Sequence, residues 1–215
     1  MKYEWTMTVN PTTIDLNKNQ RDAAVDVLTR SFMDDPIYLC VFPDPVERRR
    51  SLRALWDALV KYCQRDGVIH TTGELEGVVC WLPPGNTRMT FLRHLRTGFV
   101  FIRAVKVFQS KSRKKCLHLL SRIDDLHKRI MTRPHWYLWV LGVDPSARGQ
   151  GVGGRLLEPV LSRADADGVP CYLETQSEWN VAFYERRGFV IKSIETMDEL
   201  GLKIWIMVRE PDHVK

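Results

Sequence analysis

The segment GVDPSARGQGVGGRLL, residues 142–157, constrains this chain more than any other. It sets five glycines in sixteen positions between a β-rich run, HWYLWVLGV, and an apolar helical pattern. Glycine this dense ahead of a helix brings backbone N–H groups close to something negative. The segment satisfies G-x-G-x-x-G at Gly149, Gly151 and Gly154, with Glu174 twenty residues past the last, as a dinucleotide fingerprint would. Such a fingerprint, however, places its first glycine directly after the strand and is followed by further β-α units. Here DPSAR separates Val143 from Gly149, and only forty-one residues follow Glu174. A P-loop fails as well, because Arg155 and Leu156 stand where Lys and Ser or Thr are required. What remains is a run of amides from Arg148 to Gly153 at a helix N-terminus, suited to a pyrophosphate. The plainer alternative is a glycine turn that lets a helix pack close to a strand.

Around this segment the pattern alternates. Residues 3–9 read as an opening strand. NQRDAAVDVLTRSFM follows as a helix with Asn19 as N-cap and Ala24, Val27, Leu28 and Phe32 on its apolar face. DDPIYLCVFPDP reads as a proline-broken aromatic loop. Leu52, Leu55, Trp56, Leu59 and Cys63 mark a second helix ending near Gly67. VIHTT and GVVCWLPP form a hairpin. TFLRHLRTGFVFIRAVKVF and CLHLLSRIDDLHKRIM are helical, separated by a basic QSKSRKK turn. Beyond residue 151 the order is helix, strand (VPCYLET), short helix (NVAFYERRG) and a closing hairpin of FVIKSIET and LKIWIMVRE. These elements predict a mixed α/β sheet in one domain over 1–215, with a helical basic insertion at about 88–133.

Net charge is +6, but residues 103–133 alone carry +8, so the excess is a local patch. It is read first as a solvated helix face, then as a steering surface for an acidic ligand. No nucleic-acid motif accompanies it, and nucleic acid is not an expected partner. No run of eighteen apolar residues occurs and the first ten residues lack a secretory pattern, so no membrane association and a cytoplasmic location are expected. The five cysteines show no metal-ligand spacing, and no metal is expected.

The motif V-x-P-x-x-R-G-x-G-x-G-x-x-L, here Val143, Pro145, Arg148, Gly149, Gly151, Gly153 and Leu156, resembles the acyl-CoA motif of the GNAT superfamily of N-acetyltransferases. LETQSEWNVAFYERRGF is similar to that superfamily's second motif, through Asn180, Tyr184, Gly188 and Phe189. WYLWVLGV, GVPCYLET and FYERRGF look most like the puromycin N-acetyltransferase-like branch. Gln150 departs from the pattern, standing where many relatives carry Lys or Arg.

The resemblance implies a mostly antiparallel sheet flanked by helices, with splayed central strands. It also implies acetyl transfer from acetyl-CoA to an amine by direct attack, without an acyl-enzyme. Leu141, Gly142 and Val143 would offer backbone groups to the cosubstrate. Arg148, Gly149, Gln150, Gly151, Val152, Gly153 and Gly154 would cradle its diphosphate. Asn180 would hold coenzyme A or cap its helix, and both readings stay open. Tyr184 is the expected acid for the departing thiolate, since a phenol stays protonated at neutral pH. Glu174 is the first choice of base, or else a paired carboxylate at a strand end; Asp34, Asp35, His70 and His135 are weaker alternatives. Tyr38, Phe42 and Trp81 are the expected walls of an acceptor pocket, or else core. The acceptor is expected to be a small-molecule primary amine, with a peptide or protein amine, or a non-catalytic acyl-CoA sensor, as alternatives. The chain is expected to be a monomer or a homodimer.

Overall fold

The computed structural model describes residues 13–87 and 99–212. The expected strand at 3–9 and residues 90–98 of the third expected helix lie outside them. Helix α1 (Arg21–Ser31) follows a 3-10 turn at Lys18–Gln20. Its lead-in is fixed not by Asn19 but two residues earlier, where the Asn17 amide donates to Gln20 Oε1 at 3.1 Å. The tighter turn absorbs Asn19, and Ala24, Val25, Val27 and Leu28 then face inward at helical spacing.

The stretch expected as a proline-broken loop instead starts two helices. Asp35 caps α2 (Pro36–Val41) by accepting from the Ile37 amide at 3.0 Å. Asp44 caps α3 (Pro45–Asp66) by accepting from the Glu47 amide at 2.7 Å. An Asp-Pro pair suits a helix start: the carboxylate satisfies an orphan amide, while proline lacks the N–H that the first turn cannot pair. Helix α3 buries Leu52, Leu55, Trp56, Leu59 and Cys63 and ends at Gly67 as the spacing predicts.

Strands β2 (Val68–Thr71) and β3 (Gly77–Leu82) form the expected hairpin. Helices α4 (Val100–Val105) and α5 (Ser110–Ile130) follow. The break between them falls at residues 106–109, so the SKSRKK run is the start of α5 and not a turn. Arg113 explains the shift. Its guanidinium reaches back to the carbonyls of Val105, Lys106 and Phe108 at 3.1, 3.3 and 2.9 Å, pairing groups left open where α4 stops. Lys115 donates to the Cys40 carbonyl, and Arg129 and Arg133 pair with Glu195 and Glu210. Part of the basic patch is thus engaged in joining elements.

Strand β4 (Trp136–Val143), helix α6 (Val152–Asp167), strand β5 (Cys171–Thr175), helix α7 (Glu178–Glu185) and the hairpin β6 (Val190–Met197) with β7 (Leu202–Arg209) complete the order. A two-residue strand, β1 (Ile14–Asp15), pairs with β2. Among the described residues seven strands run β1-β2-β3-β4-β5-β7-β6, antiparallel except for β4 beside β5. Helices α1 to α5 cover one face, over a core that includes Leu28, Leu52, Trp56, Leu126, Tyr137 and Tyr172. Helices α6 and α7 cover the other, over Leu138, Leu156, Leu157, Val160, Leu173 and Tyr184. Among the described residues no helix is long and apolar enough to cross a membrane.

Candidate active site

The parallel pair β4 and β5 is joined only at Trp136 with Cys171 and Tyr137 with Tyr172. Beyond Tyr137 the two strands part. The register of β4 against β3 supplies the cause: Cys80 pairs with Val140 while Trp81 pairs with Leu138, leaving Trp139 as an extra residue. Such a bulge bends its strand and increases its twist, here just where β4 leaves β5. Past the bulge the ladder to β3 resumes, and the Asp144 amide donates to the Glu76 carbonyl at 2.8 Å. Amides alternate sides along a strand, so those of Leu141 and Val143 face away from β3, into the opening. Gly142 lies between them with no room for a side chain: a Cβ there would come within 2.7 Å of Leu28 Cδ2 and 3.2 Å of Ser31 Cβ. Helix α1 therefore rests directly on the strand.

After β4 the chain makes a 3-10 turn at Pro145–Ala147 and enters α6 through Gly149 and Gly151, both at φ +77°. This left-handed conformation favours glycine. It curls the backbone so that the opening amides of α6, which have no carbonyl one turn back to bond, point outward at the positive end of the helix dipole. Nothing lies within 4 Å of where a Gly149 Cβ would stand. The Gln150 carboxamide folds back to donate to the Ser146 carbonyl at 3.1 Å and, unlike a lysine or arginine there, carries no charge. Arginines supply the charge instead. Arg155 donates to the Gln150 carbonyl at 2.9 Å, and Arg148 to the Ser31 carbonyl at 2.7 Å. Arg187, stacked 3.7 Å over the Phe183 ring, lies beside Gly154. The glycine spacing pointed to the amides but gave no sign of Arg187, which reaches the turn only because α7 packs across the start of α6.

Glu174, two residues past the last β4–β5 pair, and Tyr184 lie on opposite faces of the sheet. Glu174 shares its face with Tyr172 and Tyr137 on the α1–α5 side; Tyr184 belongs to the core under α6 and α7. Burial pushes the Glu174 carboxyl up to about 7, against the opposing pull of the Tyr172 and Tyr137 hydroxyls, while the charge of Asp124 adds to the rise. Glu174 Oε1 and the Tyr172 hydroxyl are both shut off from solvent without closing a hydrogen bond of normal geometry. Burial also raises the Tyr184 phenol above its ordinary value, despite the Arg187 charge, so it is protonated at neutral pH. Its ring packs edge-on against Phe189 and Phe183. Asn180 is not the N-cap of α7; that position is Ser177. The Asn180 carboxamide donates to Thr175 Oγ1 at 3.2 Å, tying α7 to the end of β5.

The expected acceptor walls separate. Tyr38 stacks with Phe42 and meets Phe32 and Trp56 edge-on, on the same face as Glu174. Phe42 is fully buried. Trp81 lies in the core under α6, on the other face, because side chains alternate along β3 and Cys80 and Leu82 take the α1–α5 side. It does not share a wall with Tyr38. Among the weaker bases, His70 is buried on β2, 3.4 Å from Asp15, and Asp35 caps α2. His135 is buried with its Nε2 2.7 Å from His127 Nε2 and its Nδ1 2.7 Å from the Arg133 carbonyl. Each is held by structure, whereas Asp34 is exposed. Among the described residues no group of three or more His, Cys, Asp or Glu is arranged to hold a metal ion.

Residues 117–189 match the family model described as the acetyltransferase (GNAT) family. An N-acetyltransferase of Schizosaccharomyces pombe is 28% identical over 203 residues, covering 91% of this chain and 81% of that one. The crystal structure of histone acetyltransferase HPA2 and related acetyltransferase from Corynebacterium glutamicum superposes with a TM-score of 0.65 at 26% identity, over 93% of this chain and 96% of that one. Arylalkylamine N-acetyltransferase 2 from Aedes aegypti shares the fold with a TM-score of 0.59 at 18% identity, over 92% and 97%.

Proposed function

We propose that this chain, an N-acetyltransferase with a GNAT-family match over residues 117–189, acetylates the primary amine of a small molecule by direct attack on the thioester of acetyl-CoA. Acetyl-CoA supplies the activated acyl group; the chain's own residues hold it and move two protons. The fit of a diphosphate to the turn is supported by the open left-handed glycines, the outward amides and the arginines around them. The amides of residues 149–154 donate to it. The Val143 amide, facing the opening, stabilises negative charge as it builds on the reacting carbonyl oxygen.

The observation that carries this reading is the placement of Glu174 and Tyr184 on opposite faces of the sheet, with Glu174 just past the last β4–β5 pair. An amine entering from the α1–α5 side gives its proton to Glu174, whose carboxyl, raised to about 7, is matched to work near neutral pH. A thiolate leaving toward α6 takes a proton from Tyr184. Tyr38 and Phe32 on the Glu174 face favour a small amine with an apolar body over a peptide. An arylalkylamine acetyltransferase among the structural relatives supports the same choice. Placement in the puromycin N-acetyltransferase-like branch rests on the motif resemblance alone.

Release of free coenzyme A thiol across a panel of small amines and lysine peptides tests the proposal. Tyr184→Phe should lower kcat by about 10²-fold, with KM for acetyl-CoA within about twofold. Equal losses in both parameters would contradict the acid role. Tight coenzyme A binding with no turnover on any amine would contradict the whole reading.

A further inference from the structure

The anion-binding turn begins with an aspartate, and this is a physical problem. Asp144 stands between the strand and the glycines, and an unpaired carboxylate there would repel the diphosphate that the amides are arranged to attract. The structure pairs it across 114 residues of sequence: Arg30, in the last turn of α1, places Nε and Nη2 2.8 and 2.6 Å from Asp144 Oδ2. The other carboxylate oxygen, Oδ1, accepts from the Ser146 amide at 3.1 Å and the Ser146 hydroxyl at 2.7 Å. The main chain of Asp144 is occupied too, its amide on the Glu76 carbonyl and its carbonyl accepting from Ala147 at 2.9 Å. One residue thus joins the strand, the turn and α1.

We infer that Arg30 and Asp144 are positioning residues for acetyl-CoA: Arg30 cancels the one acidic charge built into the turn and holds that turn against α1 before the cosubstrate arrives. The inference rests on the reading of residues 148–154 as a diphosphate cradle. Neighbouring contacts act in the same direction. Arg148, the residue that follows the 3-10 turn that Asp144 caps, reaches the Ser31 carbonyl next to Arg30, and Leu28 and Ser31 leave no space above Gly142. The last turn of α1 is therefore fastened to the strand, the turn and the glycine loop together. The Arg30 side chain is 47% exposed. The Asp144 side chain is 16% exposed, but it keeps the Ser146 amide and hydroxyl when Arg30 is lost, and a pair with one partner half in water contributes little to folding, so losing Arg30 should be felt in ligand affinity before it is felt in stability.

The test measures coenzyme A binding by calorimetry, together with steady-state kinetics and thermal melting, on Arg30→Ala, Arg30→Lys and, as a control on the cradle, Gly151→Asp. The expected result is a five- to tenfold rise in Kd and in KM for acetyl-CoA for Arg30→Ala, with kcat within twofold and melting within a few degrees. Arg30→Lys should restore affinity to within about twofold. If Arg30→Ala binds normally while Gly151→Asp binds weakly, the positioning inference is wrong and the cradle stands. If Arg30→Ala loses kcat, melting temperature and affinity together, the pair is a structural brace and the inference is also wrong. If Gly151→Asp binds normally, the cradle reading itself fails.

Discussion

Replacing Glu174 by glutamine should weaken the enzyme and strengthen the fold at the same time. The carboxyl is raised to about 7 in the folded protein from 4.5 unperturbed, chiefly by burial. Each pH unit of such a difference corresponds to about 1.36 kcal/mol, so the ionised form costs the native state up to about 3 kcal/mol. The sign follows from proton binding. Because the native state holds this proton more tightly than the unfolded chain, the cost is absent below pH 4.5, grows as pH rises to 7, and is constant above. Glutamine keeps the shape and carries no charge. Urea unfolding of both proteins between pH 4.5 and 8.5 should therefore show the wild type losing about 2–3 kcal/mol relative to Glu174→Gln across that range. Comparing the change with pH, not stability at one pH, cancels whatever the buried amide costs. In parallel, kcat/KM of the wild type should rise with pH to a plateau with a midpoint near 7, and the variant should lack that limb and be about 10²-fold slower. Parallel stability curves, or an activity limb that survives in the variant, would refute both the buried charge and the base assignment.

Three further outcomes follow from the geometry. Gly151→Asp should raise the Kd for coenzyme A more than tenfold by calorimetry. Aspartate tolerates φ +77° better than most residues, so the loss is mainly charge repulsion and should shrink as salt is added. Gly142→Ala sets a methyl 2.7 Å from Leu28 Cδ2 and should cost about 1–3 kcal/mol in urea unfolding, as overpacked sites do. Arg209 is 8% exposed, bonds Asp165 through both carboxylate oxygens at 2.5 and 2.8 Å, and also donates to the Arg187 carbonyl. Arg209→Leu should cost about 3 kcal/mol by leaving Asp165 unpaired, visible as a lower thermal midpoint at pH 7.

Much of this protein was legible from local chemistry. The 3.6-residue apolar spacing located α1, α3 and α5, and the alternating runs located both hairpins. The glycines marked the turn at which α6 begins. These features succeed because turn conformation and amphipathic period depend on residues a few positions apart. Even the misread Asp-Pro pairs were local, and helix-start chemistry would have identified them.

What the sequence could not reveal depends on register and distance. Trp81 faces away from Tyr38 because of strand alternation, and β4 leaves β5 because one extra residue, Trp139, enters its ladder. The Glu174 carboxyl titrates near neutrality because tertiary packing removes it from water. Arg30 meets Asp144, and Arg187 meets the start of α6, only once helices far apart in sequence lie side by side. The sequence by itself determined the elements and the amides of the turn, through forces between near neighbours. The tertiary structure decided which face each side chain serves, which charges meet and how strongly a proton is held, because desolvation and Coulomb interactions act through space and not along the chain.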